Sequence, residues 1–349
     1  MKINYFTGLR NLEPKSMQIY KSHLLAEINN LDPSFTYSEY AMKHYELNIH
    51  RFHFDRMFNR FITLQFAARF HYGKINHVLD HTYACAVNLL PRNVKNIVTV
   101  HDLFLLKGKI NLFRMFSVPG IKKADKIIAE SESTKKELIK LLHISENKIE
   151  VIYNGVDKTI FKTISAEGKF PELVNNTVLL NVANHEDRKN TITIVKILKE
   201  LLKLFPNLIL VRVGNESIKT TRMIKELHLE NKVYYYQNID TNHLVALYNL
   251  ASIFVFPSLK EGFGLPVLEA MACSCPVITS NIYSLPEVAG NAAILVNPLD
   301  EQEIMIATKK VLSDKKLRKK MMARGLEQAG RFSWEKTAEK TLKLYREII

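Results

Sequence analysis

The chain is poor in the residues that staple small domains, and it lacks the long apolar runs that cross membranes. Its three cysteines, Cys85, Cys273 and Cys275, are too few for a disulfide framework and wrongly spaced for a zinc set. Cys273 and Cys275 stand one residue apart, so all three read as small buried hydrophobes in a reducing compartment. The start, Met1-Lys-Ile-Asn-Tyr-Phe-Thr-Gly8, is a short strand-like run without the roughly 7–15 apolar residues of a signal peptide. Two uncharged stretches, 241–259 and 270–286, are broken by Asn242, His243, Asn249, Pro257, Pro276 and Pro286. A span needs about 20 predominantly apolar residues, so neither qualifies. The expectation is a soluble, cytoplasmic chain. Internal repeats, low-complexity tracts and RNA-binding signatures are also missing, which argues against a nucleic-acid partner.

What is present is a chain of 349 residues, 47% hydrophobic, enough for two domains of about 150 residues with real cores. The net charge of +14 is uneven: residues 1–165 hold 24 Lys and Arg against 15 Asp and Glu, and the remainder 25 against 20. Such an excess suits an anionic partner, whether nucleotide phosphates or lipid headgroups. A Lys-rich solvated surface is the plain alternative.

Short β-branched runs alternate with helical stretches, the pattern of a parallel sheet covered on both faces. In the second half the spacing predicts strands at 178–182, 208–213, 233–236, 253–256, 277–279 and 293–296, with helices near 190–204, 217–228, 241–250, 265–272 and 300–313. In the first half it predicts strands at 2–7, 77–80, 97–100 and 126–129, with helices near 17–28, 55–70 and 132–142. Residues 161–176 hold Gly168, Pro171 and two asparagines without periodicity, and read as a linker. A last helix over 333–349 opens on Ser333 as N-cap. The organisation is therefore an N-terminal domain over 1–163, completed by 333–349, and a second domain over 172–332.

The most informative segment is Ser258-Leu-Lys-Glu-Gly-Phe-Gly-Leu-Pro-Val-Leu-Glu-Ala-Met-Ala272. A strand runs into a turn in which Gly262 and Gly264 flank Phe263, and an amphipathic helix follows from Leu265. The glycines let backbone approach a ligand, and free amides at a helix start suit a diphosphate. Glu261 stands in the loop, able to meet sugar hydroxyls. Glu269 lies about one turn into the helix, able to meet a second polyol.

With its two glutamates enclosing seven residues, this segment resembles the EX7E motif of retaining GT-B glycosyltransferases, the group 1 or GT4 family. The resemblance runs along nearly the whole chain. It includes Thr99-Val-His-Asp-Leu103, Ala124-Asp-Lys-Ile-Ile-Ala-Glu-Ser-Glu-Ser-Thr134, Val151-Ile-Tyr-Asn-Gly-Val-Asp157 with Phe161, and Asn184-His-Glu-Asp-Arg-Lys-Asn190. Ser284-Leu-Pro-Glu-Val-Ala-Gly290 and Phe332-Ser-Trp-Glu335 follow in order. Each is weak alone; the ordered series is specific. It implies two Rossmann-like doubly wound domains facing across a cleft. It also implies transfer of a hexose from a UDP- or GDP-sugar to a hydroxyl of a glycan or lipid-linked acceptor, with retention and without a metal or other cofactor. By resemblance, Glu261 and His101 meet the transferred sugar, Glu269 the ribose, and Lys189 with Arg188 the diphosphate. Backbone near Phe263, Gly264 and Leu265 holds oxygens, and Ile239 packs the nucleobase.

There are departures. The family's adjacent glycines in the first loop are replaced by Pro14-Lys-Ser16-Met17, and its Gly-Arg pair by Ala183-Asn184. The stretch Arg51-Phe-His-Phe-Asp-Arg-Met-Phe-Asn-Arg-Phe61 interleaves arginines with aromatics, so it suits either peripheral contact with an anionic inner-membrane face or a core helix with snorkelling arginines. His81 and Tyr83 follow a strand and are candidates for the acceptor side. Two rivals share the architecture or the charge: a nucleotide-sugar 2-epimerase, and a non-catalytic binder of polyanions.

Overall fold

Buried, near-continuous apolar runs such as Leu208–Val213 and Ile253–Phe256 can satisfy their backbone only as inner strands of a parallel sheet with helices on both faces. A computed structural model describes residues 2–9, 15–42, 58–106, 112–166, 168–184 and 186–349. The chain divides into two units, Met1–Gly155 with Trp334–Ile349, and Val156–Ser333. The sequence put the change of domain after 163. The chain has already changed allegiance earlier, because the Val156 amide donates to the Phe332 carbonyl at 3.3 Å, within the second unit.

In the first unit, β1 (Lys2–Leu9), β2 (Thr36–Met42), β3 (Ile75–Val78), β4 (Lys95–Val100), β5 (Lys126–Ala129) and β6 (Ile149–Val151) form one sheet in the order β2-β1-β3-β4-β5-β6, with every pairing parallel. The strand expected at 77–80 begins two residues earlier, since Asp80 has left the sheet to cap the 3-10 helix His81–Leu89. β2 and β6 have no counterpart in the sequence reading. Helices cover Lys15–Leu31, Leu112–Lys123 and Glu132–Leu142. Ser16 and Met17 lie in the first of these, and Pro14 falls outside the described residues. So does 51–57, the greater part of the arginine–aromatic stretch. Of its described end, Phe61 is buried and stacks on Phe116 at 5.4 Å, while Arg60 donates to the Tyr83 hydroxyl at 3.1 Å. The helix expected near 55–70 is a π-helical turn, Asn59–Thr63, leading into Leu64–Ala68.

The terminal helix Trp334–Glu347 packs beside Lys15–Leu31 in this unit, with Trp334, Leu342 and Tyr345 sharing a core with Tyr5, Tyr20 and Leu24. A buried polar thread ties it down. The Tyr345 hydroxyl lies 2.6 Å from His77 Nδ1 and 3.0 Å from the Tyr5 hydroxyl, and His77 Nε2 lies 2.8 Å from Thr99 Oγ1.

In the second unit, β7 (Thr177–Val182), β8 (Leu208–Val213), β9 (Val233–Tyr236), β10 (Ile253–Phe256), β11 (Val277–Ser280) and β12 (Ile294–Val296) run parallel in the order β12-β11-β10-β7-β8-β9. Counted within the unit, that is the doubly wound order in which the chain leaves the sheet centre once in each direction. The switch point lies between β7 and β10, and ligands of open α/β sheets bind beyond the carboxyl ends of the strands that flank it. Helices cover Thr191–Leu201, Ile218–Glu226, Thr241–Leu250, Leu265–Ala272, Leu285–Ala289, Glu301–Ser313 and Lys315–Ala329. The three cysteines are free and buried, as their composition suggested. Among the described residues, no helix is long and apolar enough to cross a membrane.

Candidate active site

At the switch point of the second unit two loops converge. After β7 the chain makes a 3-10 turn, Asp187–Lys189, and Asn190 closes it in the left-handed region (φ 54°) before helix Thr191–Leu201 starts. After β10 it runs through Ser258 to the glycine turn. The two loops are tied at the backbone, where Leu259 N–H donates to Arg188 O at 2.7 Å, and in their charges. Lys189 Nζ lies 2.7 Å from Glu261 Oε1, and Arg188 Nη1 lies 3.2 Å from Glu261 Oε2. Lys189 and Glu261 are 9% and 8% exposed, so the pair is nearly out of water and its attraction is weakly screened. Arg188 is half-buried and also forks onto Glu186, at 2.5 and 3.2 Å. The Phe256 ring lies under the ammonium of Lys189 at 5.2 Å. Ser258, which the sequence reading quoted without a role, sets its hydroxyl 2.6 Å from Glu261 Oε1 and 3.0 Å from Arg188 O. Two cations thus share one carboxylate at the switch point, where open α/β sheets bind their ligands.

The turn that follows needs its glycine. Gly264 has φ 110°, and a Cβ there would lie 2.7 Å from Leu285 Cδ2. The Ser284 hydroxyl braces the turn from outside, 2.7 Å from Phe263 O and 3.1 Å from Glu261 O. Phe263 is buried against Phe332. Leu265 opens the helix, where its amide has no acceptor within the helix, while Pro266 contributes none. Glu269, half-buried on that helix, accepts from the Tyr248 hydroxyl at 2.9 Å. Ile239 is half-buried just beyond β9, after Asn238 in the left-handed region (φ 52°).

In the first unit the carboxyl ends of three neighbouring strands carry a second charged group. Asp80 and His81 follow β3, His101 follows β4 and Glu130 follows β5. His101 is buried with both ring nitrogens engaged: Nδ1 contacts the Glu130 carboxylate, and Nε2 lies 2.8 Å from Leu79 O. Both partners are acceptors, so both nitrogens carry hydrogen and the ring is an imidazolium. Burial opposes that charge, but Glu130 and Asp80 outweigh it and hold the His101 pKa at about 9. His101 is thereby a charged donor and not a base. Asp80, although buried, is held below the ordinary carboxylate range by His81 and His101. His81 is buried with neither ring nitrogen bonded, and burial, partly opposed by Asp80 and Asp102, lowers its pKa. Glu130 stands within the run Ala124–Thr134 that carries the resemblance, but nothing in that run marks it as the partner of His101. Among the described residues no group of three or more His, Cys, Asp or Glu is arranged to hold a metal ion.

The two parallel doubly wound sheets, one with a charged loop pair at its switch point, define a GT-B protein. Sucrose-phosphate synthase from Thermosynechococcus elongatus superposes with a TM-score of 0.83 over 99% of both chains at 19% identity. The family described as "Glycosyl transferases group 1" matches residues 161–328, and "Glycosyltransferase Family 4" matches residues 32–159. The chain belongs to this glycosyltransferase family. It is 30% identical over 292 residues to the serotype-specific mannosyltransferase WbdA of Escherichia coli, covering 77% of this chain and 36% of that one. It therefore spans about a third of the length of that relative. With the O-antigen chain mannosyltransferase B of Escherichia coli it shares 28% identity over 284 residues, 76% of this chain and 74% of the relative.

Proposed function

We propose that this chain transfers a hexose from a UDP- or GDP-sugar to a hydroxyl of a glycan or lipid-linked acceptor, with retention at the anomeric carbon. The reading rests above all on the Lys189–Glu261–Arg188 cluster at the β7/β10 switch point. In it Lys189 and Arg188 neutralise the departing diphosphate, since opposite charge prearranged where charge develops is the largest single lever on such a step. Glu261 receives hydroxyls of the transferred sugar, amides around Phe263, Gly264 and Leu265 hold its oxygens, Glu269 receives the ribose and Ile239 packs the base. His101 acts in this reading through its positive charge, since both of its N–H groups are given to Glu130 and to the Leu79 carbonyl. No side chain is assigned as base: the leaving phosphate takes the acceptor proton on the face it departs from. The names of the relatives, a serotype-specific mannosyltransferase and an O-antigen chain mannosyltransferase, favour mannose as the hexose and a growing polysaccharide as acceptor. No metal or cofactor is assigned, and the reaction is placed in the cytoplasm.

The test is a transfer assay with UDP- and GDP-sugars on the wild-type chain and on Glu261→Gln. The variant should lose about 100-fold or more in rate. Transfer at the wild-type rate would remove Glu261 from the reaction.

A further inference from the structure

The ring of Tyr248, on helix Thr241–Leu250, is a core group. It is fully buried, in T-shaped contact with Phe254 of β10 at 5.6 Å and with Phe161 at 6.3 Å. For that packing a phenylalanine would serve as well. The hydroxyl is a different matter, because a phenol carried into a core needs a hydrogen-bond partner. Its partner is Glu269 Oε2 at 2.9 Å, one carboxylate oxygen of a half-buried side chain on the next helix, Leu265–Ala272. Burial first, and the carboxylate second, push the Tyr248 pKa well above its ordinary value, so the phenol stays a donor. A carboxylate turning freely about its terminal torsion spreads its acceptor lone pairs over many directions. One fixed by a rigid donor does not, and two vicinal hydroxyls need a carboxylate of fixed orientation.

We infer that Tyr248 is a positioning residue for donor recognition: its hydroxyl fixes the Glu269 carboxylate in the orientation that accepts the vicinal hydroxyls of a ribose. The inference rests on the reading above, in which Glu269 meets the donor ribose. Tyr248 itself touches no ligand. Its effect is confined to ligands that offer the hydroxyls Glu269 accepts.

That confinement separates positioning from mere support of the fold. Isothermal titration of the full chain would compare UDP and GDP with their 2′,3′-dideoxy counterparts, on the wild type and on Y248F. The wild type should favour the ribo forms by about tenfold. Y248F should bind the ribo forms about five- to tenfold more weakly and the dideoxy forms as the wild type does. Equal dideoxy binding also establishes that the variant has folded. A second variant closes a cycle: Y248F/E269Q should bind the ribo form no more weakly than E269Q alone. Equal weakening of ribo and dideoxy ligands, an intact ribo preference in Y248F, or additive losses in the cycle would each overturn the inference. A wild type that binds nucleotide without preferring ribose removes Glu269 from the ribose, and the inference with it. A wild type that binds no nucleotide removes the functional reading itself.

Discussion

Lys189 Nζ stands 2.7 Å from Glu261 Oε1, although the two residues are 72 positions apart and on different loops. The contact exists because β7 and β10 are neighbours in the sheet, so the loops after them emerge side by side. In the proposed reading Glu261 is the internal counter-ion of Lys189 and Arg188, and the donor diphosphate displaces it.

Replacing Glu261 by glutamine should therefore have two opposite effects. Transfer falls, but binding of inorganic pyrophosphate and of UDP or GDP tightens by about tenfold, because Lys189 loses its counter-ion and Arg188 keeps only Glu186. Leaving a nearly buried ammonium unpaired should also cost a few kcal/mol of stability, on the order of 3–5, restored in part by saturating pyrophosphate. Titration calorimetry and urea unfolding read the two halves, and unchanged pyrophosphate affinity would rule out the counter-ion role.

The His101–Glu130 pair predicts a loss of stability on the alkaline side. With a folded pKa of about 9 against 6.5 for a free histidine, the contribution is complete below pH 6.5 and is lost as pH rises through 9. His77 works in the other direction. Buried with both nitrogens bonded, it is held neutral with a pKa of about 3, so its contribution is present above pH 6.5 and is lost as pH falls towards 3. Thermal midpoints measured from pH 4 to 10 should show both limbs. His101→Gln should flatten the alkaline limb, and an alkaline limb untouched by that change would refute the assignment.

Gly264→Ala meets two obstacles at once, a positive φ of 110° and a Cβ 2.7 Å from Leu285 Cδ2. The expected cost is about 1–3 kcal/mol in urea unfolding, with donor binding weakened because the turn and the first amide of the helix shift together. Gly168→Ala is the control, since it shares a positive φ (78°) but has nothing within 4 Å of its Cβ.

How far this could be read in the sequence depended on burial. Strands buried on both faces, 208–213 and 253–256, are bounded by turn residues, and their ends were legible to the residue. β2 was not, because an edge strand with the sequence Thr-Tyr-Ser-Glu-Tyr-Ala-Met offers water its polar side chains and shows no apolar run. Helix Leu112–Lys123 was hidden by Pro119 and Gly120 within it. The glycine is there for packing: a Cβ would lie 1.8 Å from Ala84 O of the neighbouring 3-10 helix. At the site, the glycine turn and its glutamates stood out as a local pattern. Ser258, Tyr248 and Glu130 did not, since each acts through a partner that only the topology brings near.

The central claim is that Lys189, paired with Glu261 at the switch point, holds the diphosphate of a sugar donor. Titration of GDP and UDP into the wild-type chain and into Lys189→Ala addresses it most directly. The account predicts that the wild type binds at least one of them and that the variant binds it ten- to a hundredfold more weakly, a loss of about 1.4–2.7 kcal/mol. Equal affinity in the two proteins, or no binding of either nucleotide by the wild type, would contradict it.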